Sequence, residues 1–447
     1  MTRREAGAVL GVLGILVAVT VPELGSGAWP FKVSAAQTTA QGPFSPLVRA
    51  ADREWDVALL RSAALAAGLA VAVGAAVILA TRVARPWLVY AACAVVVGLL
   101  VLPATFLQVG LRDSTEPWYH VNDSTYQIEI AGDLLLDGED PYGHDYRGSG
   151  VEKWYPAAGA EPDVPQVALD HFAYFPGTVL SAAVWRLLPN PIDDYRLFVL
   201  LCTLALFFAA LLFDAPLPWK LAAGVALAAN PLATRGAWFG TADAPSLLFT
   251  VLAFALVTRT RYVLAAASLA VAVLLKQFAL VALPFLAVMM LTRGVARPVL
   301  YRAAGIFALV LIVGILPFAI ADPGALWDDT IAYGAQTYRI VGYGLSGVLL
   351  EIGILDDRFG SYPFLPLALL LWLPLTAWLV WTQWRSRRLW VGAAGFAVSI
   401  FALTYLGRVF QTSYLIWPLT AVLVSFVLAS ASAASGERDE LDASARS

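Results

Sequence analysis

The sequence predicts an all-α, polytopic membrane protein, on the basis of its composition and its apolar runs. Of the 447 residues, 60% are hydrophobic and only 14% are charged, whereas about a quarter of a soluble domain is charged. Apolar runs recur along the chain, and many approach the ~20 residues that cross a bilayer as a helix. They are continuous rather than alternating. This favours helices over a closed barrel, the other fold that satisfies its backbone in lipid.

The N-terminal region, residues 1–108, is predicted to hold three spans. They lie near residues 6–22, 57–80 and 86–108. The first follows a basic MTRREAG segment, as in a signal peptide, but the spans close behind it favour a retained helix. Arg82 and Arg85 occupy the turn between the second and third spans. Because basic residues concentrate in cytoplasmic turns, the segment that follows the third span, 109–175, is predicted to be extracytoplasmic.

Beyond this segment, the chain is predicted to alternate between spans and turns. Further apolar runs lie near residues 176–189, 196–213, 218–235, 245–258, 262–275, 278–292, 299–320, 362–382, 389–406 and 413–430. They divide the chain into a transmembrane core (176–320), a second extracytoplasmic loop (321–361), C-terminal spans (362–430) and a cytoplasmic tail (431–447). The tail is polar and is predicted to be disordered.

Basic turns orient these spans. Arginines recur at 259–261, 292–297 and 384–388, and each cluster marks a cytoplasmic turn. The chain around Asp243 and Lys276 then falls on the outer side. Three runs separate the outer loop from Asp243, and three full crossings would end on the wrong side. One of them, 176–189 or 218–235, is therefore predicted to be incomplete.

Composition and motifs exclude several function classes. A net charge of −3 gives no basic surface for a nucleic acid. The two cysteines, Cys93 and Cys202, both lie inside apolar runs, where they read as core residues rather than as a disulfide framework or a thiolate metal site. Neither G-x-S-x-G nor H-E-x-x-H occurs, which argues against a peptidase.

The outer segment 109–175 concentrates the ionisable groups of the chain. It contains 13 of the 32 carboxylates and all three histidines, His120, His144 and His171. An ordinary extracytoplasmic loop would be polar too. However, the concentration of every histidine in one loop exceeds what solvation requires, which favours a functional loop.

One helix is predicted within this loop. Asn122, Asp123 and Ser124 offer N-cap chemistry for a helix that runs to about Asp137. Apolar residues at helical spacing give it one apolar face, typical of a helix lying along the membrane interface. Asp123 therefore has two interpretations at this point. It caps the helix, or it acts at the bilayer surface as a base or metal ligand.

Several segments of this chain resemble, in order, those of the GT-C glycosyltransferases. The first is D-x-x-Y followed by a short helix and G-x-D-P-Y, from Asp123 to Tyr142. The remaining segments are AYFPG (173–177), NPLATRGAWFGTADAP (230–245), LLKQFALVALPF (274–285) and GRVFQTSYLIWP (407–418). The likeness is closest to the mannosyltransferase-like branch, and it extends from about residue 109 to 420.

The resemblance implies a fold, a reaction and site residues. It implies a GT-C-like bundle of about 11–13 transmembrane helices, with the interfacial helix in the large external loop. The implied enzyme transfers a hexose, with mannose favoured, from a polyprenyl-monophosphate donor to an extracytoplasmic glycan, glycolipid or protein acceptor, with inversion. Asp123 matches the general base and Asp243 the second acidic position, which assists the acceptor or a metal. Lys276 and Arg408 match the groups that hold the leaving phosphate.

Other site candidates follow from position in the outer loops. Arg339 is a further candidate for the phosphate, and the substrate candidates are Tyr126, Tyr142, His171 and Tyr174. A divalent cation such as Mg²⁺ or Mn²⁺ would fall to Asp123 and Asp243. However, Asn122 stands where many GT-C loops carry a second adjacent acid, which puts metal dependence in doubt.

The matched residues also have structural interpretations. Lys276 can snorkel from a helix end, Arg408 can anchor a span at the interface, and Asp243 can cap the helix that starts near Ala244. The aromatic residues of the second outer loop suit either a lid over a prenyl chain or an interfacial belt. They are Trp327, Tyr333, Tyr338 and Tyr343.

Two other functions remain open. A secondary transporter or flippase for a lipid-linked or anionic substrate would bury ionisable groups at mid-membrane, and Arg61, Arg186 and Arg235 are the candidates. A non-catalytic assembly subunit is the third alternative.

Overall fold

The computed structural model describes residues 2–24, 42–50, 56–81, 86–114, 121–154, 167–360, 362 and 364–446. His120 and the turn that carries Arg82 and Arg85 lie outside these ranges. The helices are α1 (Arg3–Thr20), α2 (Ser45–Ala50), α3 (Asp56–Thr81), α4 (Pro86–Asp113), α5 (Asp123–Leu136), α6 (Pro176–Arg186), α7 (Tyr195–Leu211), α8 (Leu217–Ala229), α9 (Pro231–Phe239), α10 (Ala244–Thr258), α11 (Tyr262–Leu275), α12 (Leu283–Thr292), α13 (Arg297–Ala321), α14 (Pro323–Trp327), α15 (Leu345–Glu351), α16 (Phe364–Ser386), α17 (Leu389–Tyr405) and α18 (Ile416–Arg446).

Short non-α segments join these helices at a few points. A ten-residue π-helix, Asp328–Thr337, follows α14, and a 3₁₀ segment, Gln277–Ala282, separates α11 from α12. Two two-residue strands, β1 (Val341–Gly342) and β2 (Val409–Phe410), pair in parallel and join the second outer loop to the segment after α17.

The prediction of an all-α membrane protein is confirmed. Within the described ranges, six helices are long and apolar enough to cross a membrane: Arg3–Glu23, Arg61–Ile78, Pro86–Asp113, Arg297–Ala321, Phe364–Ser386 and Thr412–Ala433. Six shorter apolar helical segments pack among them: Tyr195–Leu211, Leu217–Ala229, Ala244–Thr258, Tyr262–Leu275, Gln277–Thr292 and Leu389–Tyr405.

Helix α6 resolves the open question of the incomplete run. It has 11 residues and a length of ~16 Å, far short of the ~30 Å hydrocarbon core. At its end, Arg186 pairs with Asp133 of the outer-loop helix α5. Asp194, just before α7, bonds to Arg112 at the end of α4. Because α7 begins beside the end of α4, α6 does not change sides, and 176–189 is the incomplete run.

Two glycines bring α5, α6 and α11 into close contact. A Cβ atom at Gly132 of α5 would lie 2.9 Å from the backbone of Ala182 on α6, and one at Gly177 of α6 would lie 2.7 Å from the backbone carbon of Leu274 on α11. Real Cβ atoms do not approach backbone so closely. The three helices are therefore in contact backbone to backbone, with no side chain between them.

The C-terminal tail differs from the sequence-based expectation. Helix α18 continues through the polar segment to Arg446, whereas residues 431–447 were predicted to be disordered. Leu, Glu, Arg and Ala in this segment are strong helix formers, so an existing helix can extend through it without apolar contacts.

Candidate active site

A cavity of about 750 Å³ lies where the ends of several helices meet the loop that contains α5 and the loop between α13 and α16. Five of the nine sequence-predicted site residues line it: Asp123, Tyr174, Asp243, Lys276 and Arg408. They come from α5, from the segment before α6, from the ends of α10 and α11 and from the segment after α17. The other four predicted residues, Tyr126, Tyr142, His171 and Arg339, are not among the residues that line it.

Asp123 is in the first turn of α5, and the cap position belongs to its neighbour. Asn122 is the N-cap, and its Oδ1 accepts a hydrogen bond from the Ser124 amide at 3.0 Å. Asp123 Oδ1 accepts from the same amide at 2.8 Å. The Asn122 amide donates to the Phe239 carbonyl at the end of α9, at 2.9 Å. The helix start is thus capped and held by Asn122, while the Asp123 carboxylate borders the cavity.

Asp243 and Lys276 form a buried ion pair at the base of the cavity. Lys276 Nζ donates to Asp243 Oδ1 at 2.6 Å, and the indole Nε1 of Trp417 donates to the same oxygen at 2.7 Å. Asp243 precedes α10, but its side chain makes no capping hydrogen bond. Lys276 is 9% exposed, so it does not snorkel. The structure therefore contradicts both structural interpretations: the Asp243 side chain does not cap α10, and Lys276 does not snorkel.

Aromatic rings surround the Lys276 ammonium. The rings of Phe278, Tyr414 and Tyr174 have their centroids 5.3, 5.8 and 6.0 Å from Lys276 Nζ. Such distances allow cation–π attraction. Burial raises the pKa of the Tyr174 hydroxyl above its ordinary value, so this group stays protonated and can donate a hydrogen bond into the cavity.

Arg408 is a buried guanidinium that the protein satisfies only in part. It is 1% exposed, and it donates from Nε to the Tyr338 carbonyl at 2.8 Å and from Nη2 to the Gly360 carbonyl at 3.0 Å. Among the described residues, its buried Nη1 has no hydrogen-bond partner. No carboxylate of the described chain lies within 4.0 Å of it.

The surroundings of Arg408 favour an anion. Burial lowers the pKa of this guanidinium, which means that burial destabilises its charge. An anion bound at Nη1 would compensate for that cost and satisfy the remaining donors. The residue faces the cavity rather than the lipid, which distinguishes it from a membrane anchor.

The remaining candidates from the sequence lie outside the cavity. Arg339 is exposed and lies with Arg358 at a separate cavity of about 240 Å³. The Tyr126 hydroxyl donates to the Ser149 carbonyl at 3.0 Å, and the Tyr142 hydroxyl donates to the Tyr174 carbonyl at 2.8 Å. Tyr142 therefore fixes the backbone of a cavity residue without reaching the cavity.

His171 anchors the roof of the cavity. Its Nδ1 lies 2.7 Å from Oδ1 of Asp329, a residue of the π-helix that is 1% exposed. The other Asp329 oxygen accepts from the Gly143 amide at 2.9 Å. The His171 ring stacks on Tyr333, with centroids 4.5 Å apart. Because Tyr333 lines the cavity, the two outer loops together hold its roof in place.

Several residues around the site were not among the candidates from the sequence. Trp417 and Tyr414 lie inside the GRVFQTSYLIWP segment, but nothing in their spacing indicates that they meet Asp243 and Lys276. A buried ionic cluster also fixes α5: Arg112 bonds to Glu129 and to Asp194, at 2.5 and 3.0 Å. Arg112 and Glu129 are 17 residues apart in sequence, and no local pattern marks them as partners.

One wall of the cavity is an apolar face of α16. The residues on this wall recur at helical spacing: Phe364, Leu365, Ala368, Leu369 and Trp372. Only 17% of the α16 span is buried within the protein, and Leu370 and Leu373 are largely exposed. The helix thus separates the cavity from the lipid with apolar surface on both sides. The Cζ of Arg408 lies 5.9 Å from the Phe364 ring centroid, so the cation is at the outer end of this wall.

The side chains at the cavity offer few ligands for a divalent cation. Asp243 Oδ1 already accepts from Lys276 and Trp417. Within the described ranges, no group of three His, Cys, Asp or Glu side chains is placed to hold a metal. Ca²⁺ and Mg²⁺ take six or more oxygen ligands, several of which are waters or substrate phosphates in the case of Mg²⁺, so Asp123 and the remaining oxygen of Asp243 would form only part of a coordination shell.

Comparison with known proteins adds no relative: no family model, no curated protein and no solved structure matches the chain.

Proposed function

We propose that this protein is a membrane glycosyltransferase with a GT-C-like bundle and an interfacial α5 helix. It transfers a hexose, with mannose favoured, from a polyprenyl-monophosphate donor to a hydroxyl of an extracytoplasmic acceptor. The observation that carries the proposal is the composition of one cavity. It combines the Asp123 carboxylate, a buried arginine with an unpartnered Nη1 and an apolar wall that adjoins lipid.

The α16 wall and Arg408 suit the two parts of a lipid-linked donor. The prenyl chain would lie along the apolar face of α16, where its transfer from lipid costs little. The phosphate would meet Arg408 at the outer end of that wall, where it would accept a charge-assisted hydrogen bond from Nη1. This arrangement places the sugar toward the centre of the cavity, between Arg408 and Asp123.

The reaction needs one base and one stabilised leaving group. The acceptor hydroxyl attacks the anomeric carbon and gives its proton to the Asp123 carboxylate. The bond between the anomeric carbon and the phosphate oxygen breaks on the opposite face, so the configuration inverts. Polyprenyl phosphate leaves with the bonding electron pair, and Arg408 stabilises its charge. No step requires a metal.

Lys276 has a different role in this mechanism from Arg408. Its charge is already balanced by Asp243 at 2.6 Å, so it contributes little net positive charge to a phosphate. We assign the Asp243–Lys276 pair to holding the ends of α10 and α11 together at the cavity base, with Tyr174 and Tyr414 packed around it.

Substitution of Asp123 tests the base. The variant Asp123→Asn removes the proton acceptor with little change in volume, and we expect transfer to fall by at least 100-fold because general bases contribute about 10²–10⁴-fold. Donor binding should persist. The matched control is Asp137→Asn at the other end of α5, which is exposed and should retain full activity. Wild-type transfer by purified Asp123→Asn enzyme would contradict the proposal.

The transporter alternative gains no support from two of its three arginine candidates, whereas the third, Arg235, lines the cavity. Arg186 pairs with Asp133 and Asp193 at the outer end of α6, and Arg61 donates to the Pro22 carbonyl beyond α1. These arginines lie near outer helix ends rather than at mid-membrane. Substrate flux in proteoliposomes with no sugar transfer would nevertheless favour the transporter.

A further inference from the structure

The cavity has a second apolar wall, formed by α9. Leu232, Arg235, Gly236 and Phe239 line the cavity, and their spacing of three, one and three residues places them on one face of the helix. Three of the four are apolar or lack a side chain. Arg235 is the one charged residue on this face, so the wall combines an apolar surface with a single cation.

The guanidinium of Arg235 is weakly engaged. Its nearest carboxylate is Glu23, with Nη1 and Oε2 3.9 Å apart, and the two side chains are 37% and 33% exposed. This separation exceeds a hydrogen bond, and such exposed pairs contribute little. The Arg235 Cζ lies 5.6 Å from the Phe239 ring centroid, which orients the group along the wall. No hydrogen bond from its side chain to another described residue occurs.

The α9 wall ends beside Asn122, the residue that precedes Asp123. The carbonyl of Phe239, at the end of α9, accepts from the Asn122 amide at 2.9 Å, so this wall ends beside the proposed base. Arg408 belongs to the other wall, next to Phe364 of α16. Arg235 and Arg408, the proposed ligand of the donor phosphate, thus belong to different walls of the same cavity.

We infer that the acceptor is a membrane lipid that carries both a phosphate and a free hydroxyl. This inference rests on the proposed function, since it assigns the acceptor of that reaction. The lipid chains would pack against Leu232 and Phe239, the phosphate would pair with Arg235, and the hydroxyl would reach Asp123 beyond the end of α9. A neutral, soluble glycan would use neither the apolar face nor the cation.

Lipid binding tests this assignment separately from catalysis. Purified protein is titrated with phosphatidylglycerol, which carries a phosphate and hydroxyls, and with a monoglucosyl diacylglycerol of the same chains, which carries hydroxyls alone. We expect the wild type to prefer phosphatidylglycerol, and Arg235→Gln to weaken its binding by about tenfold while the neutral lipid is unaffected. The control is Arg358→Gln, an exposed arginine of the outer loop, which should change neither.

Each outcome decides a separate question. Equal binding of the two lipids by the wild type, or no loss in Arg235→Gln, overturns the inference. If soluble glycerophosphate competes as well as the whole lipid, the acceptor is a free anion and the lipid assignment is overturned. Donor binding, measured in the same preparation with polyprenyl monophosphate, reports on the proposed function and depends on Arg408. Failure of that binding with intact phosphatidylglycerol binding therefore counts against the transferase and not against the α9 site.

Discussion

Replacement of Arg408 by glutamine is the sharpest test of the donor site. The guanidinium donates to two backbone carbonyls and has one buried nitrogen left over. A glutamine amide can still satisfy one carbonyl, but it removes the positive charge and the spare donor. A hydrogen bond to a charged group contributes about 1.5–3 kcal/mol. The expected loss in affinity for polyprenyl monophosphate is therefore about 10- to 100-fold.

Equilibrium binding in nanodiscs measures this loss. The matched control is Arg339→Gln, because Arg339 is also an arginine of the outer face but is exposed and borders a different cavity. We expect its affinity to stay within about twofold of wild type, since surface charges contribute little. Thermal unfolding of both variants checks that they remain folded. Wild-type affinity in folded Arg408→Gln, or a loss in Arg339→Gln alone, would refute the reasoning.

Three further predictions concern the framework of the site. Lys276→Met leaves the buried Asp243 without its counter-ion, and we expect the protein to be destabilised by about 3–5 kcal/mol. Adding Asp243→Asn should recover part of this stability. Additive losses of the two substitutions in thermal unfolding would argue against an Asp243–Lys276 ion pair. Asp329→Ala removes the hydrogen bonds that tie the π-helix to Gly143 and His171, and it should raise the KM for the donor. Asp329→Asn can keep both hydrogen bonds and should restore the KM. Equal KM values for the two variants would contradict this positioning role. Gly177→Ala forces a methyl group against the Leu274 backbone and should cost about 1–3 kcal/mol of stability. The control Gly305→Ala, in helix α13 where an added Cβ meets nothing within 4 Å, should cost no stability, and an equal loss in both variants would contradict the packing argument.

Local features of the site could be predicted from sequence. The spacing of apolar residues and the Asn-Asp-Ser cluster predicted a helix from 123 to about 137, and α5 spans Asp123–Leu136. The basic turns and apolar runs predicted the alternation of helices. These features depend on periodicity and capping, which act over one or two turns and are visible in a single sequence.

Long-range contacts could not be predicted in the same way. Asp243 and Trp417 are 174 residues apart, and no spacing rule joins them. Arg408 was a phosphate candidate through the resemblance and Arg339 through its position alone, and the sequence did not show that Arg339 is exposed and Arg408 is only 1% exposed. Their difference arises from the pairing of β1 with β2 and from the Gly360 carbonyl, which only the folded chain brings to Arg408.

The C-terminal tail shows a limit of predicting disorder from composition. Composition predicted disorder at residues 431–447 because the segment is polar, but a helix already formed in the last span needs no new nucleus to continue.

The glycine contacts between α5, α6 and α11 set the spacing of the helices that carry Asp123 and precede Lys276, whereas the lining of the α9 wall is formed by side chains. They fix the spacing between the turn that carries Asp123 and the end of α11 that precedes Lys276, and this spacing tolerates no intervening side chain. The α9 wall is joined to this rigid unit at the Asn122–Phe239 hydrogen bond, while its lining depends on side chains. If the proposed acceptor site is correct, substitutions on α9 would alter the choice of acceptor while Asp123 keeps its position. The same framework would then accommodate changes of acceptor, by evolution or by design, through one helix face.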